Sequence, residues 1–280
     1  MLPFYGGGEH DRVGVVMGRL NAACLAVMAV TFAGEVTGQQ VDPLVARSTD
    51  AIELQQLGVR FIASNQTRNA LEALRKSLEI YPDNAETRMW LGVVYTQMNE
   101  DIAAEGEFLR ALELNPHLTE VRNWYGVYWA RRGNLDAAIA QYRQALMDPA
   151  YPPISRARVQ VNLGNVLMQT GEYDDAVVAL GQAGNVAVPS SDPLYPLIQL
   201  SLAEALVKSG RAQEALGALQ RMEVLPPNAR AEYLSGLAYR DLGEIDDARD
   251  HLGRVLRLAP GSELAREALQ VLESLPGRPD

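Results

Sequence analysis

The 280-residue chain has one cysteine, three histidines and only 6% aromatic residues. A single thiol, Cys24, can form neither an intramolecular disulfide nor a thiolate metal site. His10, His117 and His251 are far apart, with no His-x-x-x-His pair and no Cys/His cluster. Lys/Arg clusters are missing too. With a net charge of −10 and no basic patch, the chain repels phosphate backbones, which argues against nucleic acid as a partner. The glycine-rich "YGGGEH" at 5–10 is not followed by the Lys-Ser/Thr that a phosphate loop requires. "EYDD" at 172–175 and "EIDD" at 244–247 open helices, where carboxylates suit the helix dipole. Neither His117 nor His251 has a matching Ser, Cys or Asp constellation. The expectation is a protein that is not an enzyme, with no cofactor and no metal.

Long apolar runs are also scarce. Residues 20–33, "LNAACLAVMAVTFA", are apolar apart from Asn21 and Thr31. They fall short of the roughly 20 residues that span a bilayer. Their length, and the preceding Arg12 and Arg19, suit a signal peptide cleaved after Ala33 or Gly38. The alternative is a buried helix of the folded domain. Met17 is a more ordinary start for such a signal, so 1–16 reads as an upstream extension. Residues 1–38 are assigned to the signal and 39–50 to a linker. The expected location is the periplasm, with association to the outer membrane as an extension of that reading. The mature chain would then lack cysteine, which suits an oxidising compartment.

What the chain does have is a repeat. With 48% hydrophobic and 21% charged residues it has the composition of an ordered, soluble protein. "LGVRFIASNQTRNA", "LGVVYTQMNEDIAA", "YGVYWARRGNLDAA" and "LGNVLMQTGEYDDA" share one arrangement. Numbering each unit so that its glycine is position 8 places Gly58, Gly92, Gly126, Gly164, Ala203 and Gly236 there. Successive spacings are 34, 34, 38, 39 and 33 residues. Position 20 is always alanine: Ala70, Ala104, Ala138, Ala176, Ala215 and Ala248. Position 15 is Asn65, Asn99, Gly133, Gly171, Gly210 and Gly243, residues that end a helix cheaply in the left-handed conformation. Position 11 carries Phe61, Tyr95, Trp129, Leu167, Leu206 and Tyr239. Proline stands at position 32 in Pro82, Pro116, Pro227 and Pro260. This is the 34-residue tetratricopeptide pattern.

The expected fold is therefore all-α: a solenoid of six tetratricopeptide helix pairs plus a C-terminal capping helix. The repeats run approximately over 51–84, 85–118, 119–152, 157–190, 196–228 and 229–262. The cap covers 261–275 and a tail covers 276–280. "DPAYPPISR" at 148–156 and "NVAVPSSDPLYP" at 185–196 read as loops between repeats. Within each pair, glycine at position 8 is expected to face alanine at position 20, so that the two backbones come close.

Solenoid proteins work through an inner groove. On helical spacing, positions 2, 5, 6, 9, 12 and 13 of each first helix point there. The first repeat offers Gln55, Val59 and Ile62; the second, Met89, Trp90, Val93 and Thr96. The third offers Asn123, Trp124, Val127 and Ala130; the fourth, Val161 and Met168. Trp90 and Trp124 share position 6 in adjacent repeats and should lie side by side. Such an apolar strip suits a docked helix or extended segment, so a protein partner is expected in the groove. The competing reading is that these side chains pack within the stack. Gln55, Val59, Trp90, Glu120 and Trp124 stand where a carboxylate clamp would need Lys, Asn and Arg, so such a clamp is not expected. The later repeats are more charged, with Glu204, Lys208, Arg230, Arg240 and Asp241.

The run from Ile52 to about Gly171 resembles the tetratricopeptide lipoproteins of type IV pilus biogenesis, the PilF/PilW pilotin family, to which the Tgl protein is similar. "IELQQLGVRFI" with "ALEALRKSLEIYPDNAE" resembles that family's first repeat. "VRNWYGVYWARRGNLDAAIAQYRQAL" resembles its third, matching at Asn123, Tyr125 and Gly126. "DPAYPPISRARVQVNLGNVL" resembles an Asp-Pro-x-Tyr-Pro insertion that the generic repeat does not require, here Asp148, Pro149, Tyr151 and Pro152. The resemblance implies an outer-membrane assembly factor that binds the pilus secretin and helps it reach the membrane or form its ring. It also implies a lipidated cysteine, for which Cys24 is the candidate. The sequence departs here: Asn21 replaces the expected Leu, and the apolar run follows Cys24 instead of preceding it. The alternative function is a general periplasmic scaffold of an envelope polysaccharide or secretion complex.

Overall fold

A computed structural model describes residues 43–186, 192–222 and 227–277. Among them there are thirteen α-helices and no strand. The chain divides after Arg131 into two compact units. The first holds α1 (Pro43–Ala63), α2 (Thr67–Ile80), α3 (Ala85–Met98), α4 (Asp101–Leu114) and α5 (Thr119–Arg131). The second holds α6 (Leu135–Leu146), α7 (Pro153–Thr170), α8 (Tyr173–Gly184), α9 (Leu194–Lys208), α10 (Ala212–Gln220), α11 (Ala229–Asp241), α12 (Ile245–Leu258) and α13 (Glu263–Ser274). Each helix packs on its successor within its unit, and α1 on α3, α3 on α5, α7 on α9 and α9 on α11 also touch. The fold is all-α, of the tetratricopeptide class.

The glycines at position 8 have a different partner from the one expected. A Cβ built on Gly58 would lie 2.6 Å from Leu74; on Gly92, 2.7 Å from the Phe108 ring. The same holds for Gly164 against Leu180 at 2.5 Å and Gly236 against Leu252 at 2.7 Å. The second helix therefore inserts its position-24 side chain over the glycine. The alanine at position 20 contributes its backbone: the carbonyls of Ala70 and Ala248 would stand 3.5 and 3.4 Å from the added atom. All four position-24 residues are buried. Position 15 is left-handed in every repeat, from φ 56° at Asn65 to φ 84° at Gly171. That conformation turns the chain into the second helix, as the Asn/Gly pattern implied.

Three helix starts differ from the sequence reading, one of them α9, which begins at Leu194 inside the loop expected at 185–196. Helix α1 begins at Pro43, so residues 43–50 continue the first helix instead of forming the end of a linker. Proline's fixed φ and missing N–H suit a first helical position, and nothing between Leu44 and Asp50 breaks a helix. Likewise α7 begins at Pro153, shortening the loop expected at 148–156. The side chain of Asp148 accepts from the Ala150 N–H at 2.9 Å, and Tyr151 is buried beneath the turn. Arg156 ties the loop down, donating to the carbonyls of Leu146, at 2.8 Å, and Asp148. The Asp-Pro-x-Tyr-Pro insertion is thus a folded corner. Ser262 caps α13 by accepting from the Ala265 N–H at 3.0 Å. Leu264, Ala268, Val271 and Leu272 then pack on the core of α12, as a terminal cap requires.

Replacing Gly92 with Ala should lower stability by about 1–3 kcal/mol, because its Cβ would collide with Phe108. Gly106 lies mid-helix with open space at its Cβ position, so Gly106→Ala should stabilise by about 0.5–1 kcal/mol. Urea unfolding of the two variants should shift the midpoint in opposite directions.

Candidate partner-binding site

In the first unit, α3 and α5 run side by side, and their position-6 residues meet. The Trp90 and Trp124 rings are 5.7 Å apart and tilted by 57°. Beside them opens a small recess lined by Val93, Thr96, Gln97, Phe108, Trp124, Val127 and Arg131. Four of the groove residues expected from sequence, Val93, Thr96, Trp124 and Val127, come together there. Gln97 and Arg131, both at position 13, complete the rim. The Thr96 hydroxyl is already satisfied, donating to the Gly92 carbonyl at 2.7 Å.

The strip is less open than the helical spacing suggested. Trp90 is 8% exposed, and Met89, Val93, Asn123, Val127 and Ala130 are buried; Trp124 is half-buried. Position 5 is interior in all four repeats: Gln55, Met89, Asn123 and, in the second unit, Val161. Gln55 bridges the first two repeats. Its Oε1 accepts from Thr87 Oγ1 at 2.9 Å and from Asn84 Nδ2 at 3.2 Å, while Asn84 caps α3 through the Thr87 N–H. These four residues hold the stack and do not line an open groove. The physical reason is that a first helix touches more than its own partner: α3 packs on α4 and also on α1, α2 and α5. Its buried arc is therefore wider than a half-turn. Val59, Ile62 and Met168 remain half-buried, and none of them lines the recess.

Two buried groups here lack hydrogen-bond partners among the described residues: the indole Nε1 of Trp90 and that of Trp124. Gln97 Oε1, on the recess wall, is a third. An unmet buried donor or acceptor costs about 1–3 kcal/mol, so such a concentration is unusual. Behind the recess lies an aromatic stack. Phe108 and Tyr125 are 5.4 Å apart, Tyr125 and Tyr128 5.8 Å, and Tyr128 and Trp129 5.1 Å. Tyr125 donates its hydroxyl to Glu105 at 3.0 Å. Burial, and then the Glu105 carboxylate, push its pKa up to about 12. Burial also raises that of Tyr128.

The second unit holds a larger cavity, about 430 Å³, that the sequence reading missed. The space lies among α10, α11 and α12. Leu216, Leu219 and Met222 form one wall; Glu232, Tyr239, His251 and Arg254 form another. His251 Nδ1 is 2.6 Å from Glu232, Arg254 is 3.5 Å from the same carboxylate, and the Tyr239 ring stacks on the imidazole at 5.1 Å. The carboxylate, imidazole and guanidinium thus satisfy one another. No sequence signal marked the cavity, because Pro227 holds the same position 32 as Pro82, Pro116 and Pro260, which follow 14-residue second helices. Among the described residues no group of three His, Cys, Asp or Glu could hold a metal, and no helix is long and apolar enough to cross a membrane. Cys24 lies outside the described residues.

Paired helices with glycine under position 24 and a left-handed residue between them define a repeat scaffold whose chemistry is recognition. Tetratricopeptide repeat family patterns match residues 61–123, 103–153, 157–182 and 200–263, and the chain belongs to that family. Among solved structures it is similar to PilF of Pseudomonas aeruginosa, with a TM-score of 0.68 and 26% identity over 81% of this chain and 99% of that one. It is similar in fold to PilW, described as a widely conserved type IV pilus biogenesis factor, with a TM-score of 0.64 and 22% identity over 78% and 98%. YrrB, a tetratricopeptide protein with an unusual peptide-binding site, gives 0.60 and 20% over 71% and 99%. No curated protein matches the sequence.

Because the phenols of Tyr125 and Tyr128 titrate above their ordinary value in the folded state, they favour folding below about pH 10. That contribution is lost as pH rises through the folded pKa of about 12 for Tyr125. Stability measured by denaturant should therefore fall between pH 10 and 12, and Glu105→Gln should bring the tyrosinate absorbance of Tyr125 in earlier.

Proposed function

We propose that this chain is a non-enzymatic, protein-binding scaffold that assists assembly of an outer-membrane secretin during type IV pilus biogenesis. The observation that carries the reading is the likeness to PilF, which spans 99% of that protein and 81% of this chain. The Asp-Pro-x-Tyr-Pro corner adds to it, since Asp148 and Tyr151 serve a built turn that the generic repeat lacks. The tryptophan-lined recess of α3 and α5 is the surface we assign to the secretin. The chain is exported by its N-terminal apolar run and acts in the periplasm against the outer membrane. Cys24 is the acceptor for any lipid. Labelled palmitate incorporation that disappears in Cys24→Ser would support the anchor.

The test is secretin assembly in cells. Loss of this protein should abolish the secretin multimers, and Trp124→Ala should reduce them several-fold. Trp90 is buried, so its removal would confuse binding with folding. Arg131→Glu, at an exposed rim position, supplies the second variant, with thermal melts confirming that both remain folded. Normal multimers in cells lacking the protein would refute the proposal.

A further inference from the structure

We infer that the cavity among α10, α11 and α12 binds a carboxylate carried on a short apolar body. The inference goes beyond the secretin reading, since it concerns the last two repeats and does not depend on the tryptophan recess. At about 430 Å³ the cavity falls within the span of small-ligand sites, about 300–1,000 Å³. Its walls differ in chemistry because helical spacing sorts them. On α10, Leu216 and Leu219 share a face and, with Met222 just past the helix end, make an apolar wall. All three are at most 7% exposed, so this wall is the floor. On α11, Glu232, Ser235 and Tyr239 recur at helical spacing and make a polar wall, which α12 extends with His251 and Arg254. Arg254 is exposed and stands at the rim.

The polar wall is short of acceptors. Glu232 is its one carboxylate, and His251 Nδ1 at 2.6 Å and Arg254 at 3.5 Å already meet it. The hydroxyls of Ser235 and Tyr239 have no hydrogen-bonded partner among the described residues, and Arg254 has no ion pair there besides Glu232. A guanidinium carries five N–H donors, so one contact at 3.5 Å leaves most of them unused. The complement of these donors is a charged acceptor, and a carboxylate meets a guanidinium in the two-pronged geometry that makes such bonds strong. The floor adds the second requirement. An apolar body the size of a leucine side chain displaces water from Leu216, Leu219 and Met222 while its carboxylate stays at the rim with Arg254. An uncharged apolar ligand would strip water from the polar wall and give its donors nothing in return. N-acetyl-leucine has the required form, and so does a peptide that ends in leucine.

The test uses the purified chain with its methionine methyl groups labelled with carbon-13, because Met222 lies on the floor. The Met222 resonance is the one that disappears in Met222→Leu. N-acetyl-leucine should shift it saturably, with millimolar affinity. N-acetyl-leucine amide lacks the charge and N-acetyl-glycine lacks the apolar body, and each should bind roughly fivefold more weakly or worse. Arg254→Gln should reduce the affinity for N-acetyl-leucine to that for the amide, and Tyr239→Phe should weaken it about threefold. Thermal melts check that both variants remain folded. No saturable shift up to about 20 mM N-acetyl-leucine, equal affinity for the acid and its amide, or undiminished binding in Arg254→Gln overturns the inference. The peptide acetyl-Gly-Ser-Gly-Leu, with its carboxylate free, separates the two sources. If it binds as tightly as N-acetyl-leucine, the inference holds with a chain end as ligand. If N-acetyl-leucine alone binds, it holds with a free small acid.

Discussion

Four of the six repeats depend on one close contact: a bulky side chain of the second helix seated on a glycine of the first. Leu74 on Gly58, Phe108 on Gly92, Leu180 on Gly164 and Leu252 on Gly236 are the same contact made four times. With a Cβ in the way, the helices would have to separate and the apolar seam between them would open. The left-handed residue at position 15 sets where the chain reverses, and hence which second-helix side chain reaches the glycine. The remaining burial, including the aromatic stack of the first unit, follows from that approach.

The repeat was legible in the sequence because its constraints are steric and recur at fixed spacing. Position 8 is glycine in five repeats and Ala203 in the sixth, position 20 is always alanine, and position 15 is always Asn or Gly. The identity of the contacts was not legible. Two small residues facing each other is the simpler inference, yet the glycine makes room for position 24, and position 20 is small because its backbone lies close by. The start of α1 was missed for a related reason. The repeat pattern begins at Ala51, but a helix stops only where something stops it, and the first such signal upstream is Pro43.

The candidate site was read with mixed success, and the errors share a cause. A helical wheel treats a helix as having one buried face and one open face. In stacked repeats a first helix can be enclosed by more than its own partner, as α3 is by α1, α2, α4 and α5, and Gln55, Met89, Asn123 and Val161 lie inside although their angle seemed to point outward. The pairing of Trp90 with Trp124 survived because equal positions in adjacent repeats stay adjacent whatever the wheel's offset. Gln97 and Arg131, at position 13, belonged to the expected inner set, and the structure brings both to the recess.

The glycine contact is made between residues only 16 apart in sequence. Chains held together by such near neighbours collapse quickly, since little loop entropy has to be overcome before the first favourable contact forms. Any one hairpin of helices can therefore act as a nucleus, and structure can spread to adjacent turns in either direction. Repeats that become compact one at a time need not wait for the rest of the chain before the first seam is dry.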